Sequence, residues 1–222
     1  MRLVVLSLLL VVSCGQGRML PAASAHDVPG APEAASQEKA GVRVSADGDD
    51  WEARPADLPA RLTPVKVRIV NHSGADALIE YERFALVGAR GHVYRAIPIL
   101  PADGAATDGV EAIQPVYAAS KFYVAPRTHG VYPSLEPWSH PLARDDAGFG
   151  ARYKLWDSDL PTRAMRRMGL PEGVLADGGE ISGFLYFENA TRHEKRLTFR
   201  ADIDDEQTGD QLAEITIPFQ VD

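Results

Sequence analysis

Between Pro126 and Trp156 the chain concentrates His129, Tyr132, Trp138, His140, Phe149, Tyr153 and Trp156 among Pro126, Pro133, Pro137 and Pro141, with Arg127, Arg144 and Arg152 beside them. Tyr, Trp and Arg combine a large contact area with a polar handle, which is what recognition surfaces use. Arg127, His129, Tyr132, Trp138, His140 and Arg144 are therefore the candidate binding residues, for a protein or glycan partner. The competing reading is a satellite core, in which these rings cover one end or an open edge of the main fold. His129 and His140 stand eleven residues apart outside any recognised metal-ligand spacing, a weak signal, so no metal is assigned to them.

Other clusters carry weaker chemistry. His193-Glu194 begins like a zinc-protease helix, but the second histidine is missing and the pair sits beside a strand pattern. Glu80 and Glu82 share a face if their segment is a strand, where i and i+2 acids are ordinarily solvated. Asp202, Asp204, Asp205, Glu206 and Asp210 gather oxygen ligands in one turn without the spacing of a calcium loop. Gly148-Phe149-Gly150 lacks both a third glycine and a preceding strand, and no nucleophile elbow, phosphate loop or CxxC pair occurs. Asn71-His72-Ser73 and Asn189-Ala190-Thr191 are glycosylation sequons in form. No catalytic residue, metal ligand or cofactor is expected.

The chain has one cysteine, Cys14, so no intramolecular disulfide can form and the fold must stand on its core. Before it come the basic Arg2 and an apolar run, Leu3 to Val12, broken only by Ser7, the layout of a signal peptide. Such a run is too short to span a bilayer, which takes ~20 apolar residues, and no later segment is longer. Val11-Val12-Ser13-Cys14-Gly15 resembles the lipobox of bacterial lipoproteins. The resemblance implies that residues 1–13 are a signal peptide removed before Cys14, and that the Cys14 thiol carries diacylglycerol. It further implies acylation of the new amino group, and two or more chains anchor stably where one does so only marginally. The alternative is an ordinary secretory cut after Ala23-Ser24-Ala25, which ends thirteen residues past Val12, farther than is usual. Gly15 is not the aspartate that retains some lipoproteins at the inner membrane, which tilts the expected location toward the outer membrane.

Residues 14–40, rich in Ala, Pro, Gly and Ser without hydrophobic period, are expected to form a flexible tether with a reach of roughly 25–30 Å. From residue 41 to 222 the dominant period is two. Pro64 to Asn71 places Val65, Val67 and Ile69 on one face with Lys66 and Arg68 on the other. Gly41–Ser45, Leu78–Val87, Gly91–Ala96, Lys121–Ala125, Ile181–Glu188, Arg196–Ile203 and Ala213–Val221 complete about eight strands. Ile181–Glu188 is apolar on both faces and reads as a central strand. Only Leu160–Met168 looks helical, with Ser158 or Asp159 as cap and Gly169 as stop. The expected fold is an all-β, immunoglobulin-like sandwich of two antiparallel sheets, with one short helix and an irregular insertion at about 97–158. Leu175 to Glu188, a glycine turn feeding an aromatic strand, resembles an element of immunoglobulin-like domains in bacterial surface lipoproteins, many without assigned function; the resemblance implies a fold and no activity.

The net charge of −8, or −9 once Arg2 is removed with the leader, and the scattered basic residues exclude a nucleic-acid partner. The reading that follows is a non-catalytic, lipid-anchored binding or scaffolding module of the cell envelope. Two alternatives stand beside it: an envelope hydrolase with its site in the insertion, and an assembly protein that pairs through a sheet edge.

Overall fold

A computed structural model describes residues 17–48, 50–99, 121–124 and 160–222. The chain forms the expected sandwich of two antiparallel sheets. One sheet runs in the order β11 (Glu180–Glu188), β5 (Leu62–Asn71), β4 (Val42–Asp47), β3 (Ala31–Lys39) and β2 (His26–Val28). The other runs β1 (Met19–Pro21), β13 (Gln211–Val221), β12 (Arg196–Asp205), β6 (Ala77–Ile79), β10 (Gly173–Leu175) and β9 (Phe122–Val124). In that second sheet β7 (Phe84–Gly88) also pairs with β12 and carries β8 (Val93–Arg95) on its far side.

Alternation decides what the sheets bury. Val65, Val67 and Ile69 of β5 are fully enclosed while Lys66 and Arg68 are exposed. Leu197, Phe199, Ala201 and Ile203 of β12 and Ala213, Ile215, Ile217, Phe219 and Val221 of β13 supply the facing layer. Phe187 of β11 meets Phe199 of β12 edge-on across the interior, with ring centroids 6.5 Å apart.

The expected tether is not a tether from residue 19 onward. Met19–Pro21 pairs with Phe219–Val221, and Ala31–Lys39 forms a nine-residue strand joined to β4 by the turn Ala40-Gly41. Both turn residues have positive φ, at 50° and 79°, the geometry of a two-residue hairpin loop that matches strand twist. Ala34 and Ala35 are buried, and their small side chains give β3 little of the hydrophobic period that marks the other strands.

Three further expectations change. Leu78–Val87 is not one strand: a 3₁₀ turn at Tyr81–Arg83 splits it into β6 and β7, sending Tyr81 into the core to donate through its hydroxyl to the Leu170 carbonyl at 2.5 Å. Ile181–Glu188 is not central: among the described strands β11 pairs with β5 alone and lies at a margin of its sheet. Its outward residues Phe184 and Tyr186 are nevertheless buried, because Trp51 packs edge-on against both at 5.1 and 5.9 Å and a helix lies over them. That helix, α2 (Arg163–Met168), starts later than the sequence pattern indicates; Thr162 is its cap, accepting from the Met165 amide at 3.3 Å. A second short helix, α1 (Leu58–Arg61), leads into β5.

Candidate functional site

Cys14, Arg127, His129, Tyr132, Trp138, His140 and Arg144 all lie outside the described residues. The sandwich that carries them supplies two fixed points for the middle of the chain. Ala96 to Ile99 run into the core, where Ala96 donates to Phe84 and Ile97 to Tyr186, one in each sheet. Phe122–Val124 then pairs with Gly173–Leu175 at the margin of the larger sheet.

Register sorts the described loops into two ends. Met19 lies opposite Val221, and Leu197 lies opposite both Phe219 and Gly88. The entering residues Gly17 and Arg18, the turn Gly88–His92, the loop Asn189–Lys195 and the carboxy terminus therefore gather at one end. Met19 also bridges to Gly48, which ties that end to the smaller sheet. The hairpin turn after Asp205, the Ala40-Gly41 turn and the Asp177-Gly178 turn mark the other end.

At the entry end a groove of about 520 Å³ is lined by Gly17, Arg18, Gly48, Trp51, Pro59, Leu62 and Thr191, among others. Its indole is held in place by a bond from Nε1 to the Pro55 carbonyl at 3.0 Å. The neighbouring loop is built on Thr63, whose buried hydroxyl accepts from the amides of Ala190 at 3.0 Å and Thr191 at 3.4 Å. Asn189 reinforces it, donating to the Ala60 carbonyl at 2.6 Å and accepting from the Arg192 amide at 3.2 Å. Glu194 folds its carboxylate over Gly88, where any larger residue would strike it, and the Tyr94 hydroxyl lies 3.5 Å away. Burial, and then the Glu194 charge, push the Tyr94 phenol above its ordinary pKa. The His92 ring packs edge-on against Tyr94 at 4.4 Å. His193-Glu194 thus belongs to a loop against a strand end, with Glu194 in a structural role and His193 exposed.

Three of the acids that the sequence groups near Asp204 are engaged through their side chains. Asp202 takes a forked pair of bonds from Arg200, Asp204 pairs with Arg83, and Asp205 accepts from the amides of Gln207 at 2.8 Å and Thr208 at 3.0 Å. Among the described residues no group of three or more histidine, cysteine or acidic side chains is placed to hold a metal. Glu80 and Glu82 do not share a strand face: Glu80 precedes the 3₁₀ turn, 3.9 Å from Arg83, and Glu82 lies within it. Asn71 is fully buried, its amide donating to the carbonyls of Ala75 at 2.8 Å and Leu175 at 2.9 Å, so this sequon is a turn organiser. Trp51 and the entry groove escaped the sequence pattern; their signal was one large aromatic inside an acidic run, Asp49-Asp50-Trp51-Glu52.

Comparison with known protein families, with curated proteins and with solved structures found no match for the chain.

Proposed function

We propose that the protein is a lipid-anchored module of the bacterial cell envelope, held outside the cytoplasm by acyl chains on Cys14 and serving as a non-catalytic binding or scaffolding domain. The observation that carries the reading is the closeness of the lipobox-like cysteine to the fold. Gly17, three residues on, already lies against Thr191 and Val221 in the sandwich. Among the described residues no helix is long and apolar enough to cross a membrane, so the attachment proposed is Cys14 itself. A rigid two-sheet frame with ordered ends suits a module that presents loops, since binding residues tend to ride on loops held by a scaffold. The proposed partner surface is the aromatic and basic set Arg127, His129, Tyr132, Trp138, His140 and Arg144, and its partner an envelope protein or glycan.

Two measurements test this. Intact mass and acyl-chain labelling should find diacylglycerol on Cys14, and Cys14→Ser should leave an unprocessed precursor or release a folded domain; normal processing with retained membrane attachment would sink the anchor. Photo-crosslinkers at Arg127 and Arg144 in living cells should capture one recurrent envelope component, and alanine at Tyr132 and Trp138 in the same protein should abolish the capture. Unchanged capture would remove those residues from the partner surface.

A further inference from the structure

We infer that the protein stands on the membrane in one orientation, with the Gly88–His92 turn and the Asn189–Arg196 loop laid against anionic phospholipid headgroups. The inference rests on the anchoring of Cys14 proposed above. It begins with reach. Three residues of fully extended chain cover at most about 11 Å, so an acylated Cys14 holds Gly17 within that distance of the bilayer surface. Gly17 is no loose end: a Cβ there would meet the Thr191 carbonyl at 2.8 Å and the Val221 side chain at 2.6 Å. The anchor therefore enters beside the Asn189–Arg196 loop.

That loop and its neighbour are basic. Arg192, Lys195 and Arg196 are exposed on it, and Arg90 is exposed on the adjoining turn, which Glu194 clasps over Gly88. The acids on the same side are Glu194, engaged with that turn, Glu188, whose charge reaches Tyr94 behind the turn, and Asp222. Arg18 beside them is occupied by Glu33 at 2.5 Å. The other acids of this end, Asp47, Asp50, Glu52 and Asp57, belong to the five-stranded side, where Asp50 takes Lys66 at 2.6 Å. The opposite end of the sandwich carries Asp76, Asp177, Asp205, Glu206 and Asp210 against Lys39 and Lys121. A strand the length of β13 separates the two ends by roughly 35 Å. A chain of net charge −8, or −9 without Arg2, is repelled as a whole by an anionic surface, so it approaches one most readily by the end that gathers four exposed cations and keeps the acidic end away.

The test uses full-length acylated protein reconstituted into vesicles that carry a headgroup-bound nitroxide quencher. With Cys14 blocked by lipid, a fluorophore is placed at Ala89→Cys on the basic turn or at Gln207→Cys on the far hairpin. In vesicles of mixed phosphatidylglycerol and phosphatidylcholine, the label at 89 should be quenched several-fold more than the label at 207. Phosphatidylcholine alone, or the four exposed reversals R90E, R192E, K195E and R196E in protein with an unchanged melting curve, should remove most of that contrast. Equal quenching at the two positions, or a contrast indifferent to both lipid charge and the reversals, overturns the inference while leaving the anchor intact. A protein whose mass shows no lipid on Cys14 overturns the anchor, and the inference with it.

Discussion

The five-stranded sheet has two margins built in opposite ways. At one, β11 carries buried side chains on both faces, and its free backbone edge is sealed: Leu170 donates to Phe184 at 2.9 Å and Ile97 to Tyr186 at 2.7 Å. Above it Trp51 and α2 cover Phe184 and Tyr186, whose hydroxyl donates to the Met165 carbonyl at 3.2 Å. At the other margin β2 is three residues long, with His26 and Asp27 exposed, and a register shift interrupts its pairing with β3. The first margin solves the edge problem by covering, the second by brevity, charge and irregularity. Position at an edge is thus separate from exposure, and apolar content on both faces reports covering by any element, not only by two strands.

Perturbing each margin should expose this difference. Phe184→Ala removes an almost fully buried ring from beneath Trp51 and should cost about 3–5 kcal/mol in urea denaturation. A loss below about 1 kcal/mol would mean that the covering layer contributes little. Gly183→Ala drives a methyl into the backbone of Leu170, 2.5 Å from its amide nitrogen, and should cost about 1–3 kcal/mol. Hydrogen exchange should then quicken at the Leu170 and Ile97 amides before the rest of the sheet; uniform quickening would refute a local seal.

The pair across β5 and β11 predicts a smaller, pH-dependent effect. Arg68 binds Glu180 through two bonds of 2.6 and 2.8 Å, and this hydrogen bonding holds the Glu180 carboxyl below its ordinary pKa. Its folded-state value is depressed, so the stabilisation is present above the unfolded carboxylate pKa and is lost as pH falls through the folded one. Because both side chains are about half exposed, the Glu180→Gln difference should stay under about 1 kcal/mol at neutral pH and shrink as acidification protonates the carboxylate. A difference that grows on acidification would reverse the assignment. Smallest of all, Asp27→Val on the open margin should move stability by no more than about 0.5 kcal/mol. Its effect should appear as concentration-dependent light scattering, since a charge that discourages edge pairing is gone. Unchanged scattering would show that the short length of β2 protects the edge by itself.

The strands that alternate large apolar and polar residues are legible in the sequence. Val65, Val67 and Ile69, and the runs Leu197–Ile203 and Ala213–Val221, point inward as their period requires. The turn after Asp205 and the Gly88–Gly91 turn join the strands expected of them. What stayed hidden follows a physical pattern. Ala31–Lys39 is a strand whose buried residues are alanines, so burial there leaves little hydrophobic contrast with its neighbours. Tyr81 breaks the Leu78–Val87 run because its ring and hydroxyl find better partners in the core and at Leu170, contacts more than eighty residues away in sequence. Of the entry end, the chain displays the basic run Arg192 to Arg196, yet no local pattern joins it to Gly17 or to Arg90.

Local residue pattern is enough to dictate the two-sheet frame, because a period of two with large side chains leaves one face that must be buried whatever lies elsewhere. Where the frame begins, which edges are sealed and which charges share an end depend instead on the folded whole. Those are outcomes of pairing over long separations, Met19 with Val221, Gly88 with Leu197, Ile97 with Tyr186, and no window of neighbouring residues contains both partners.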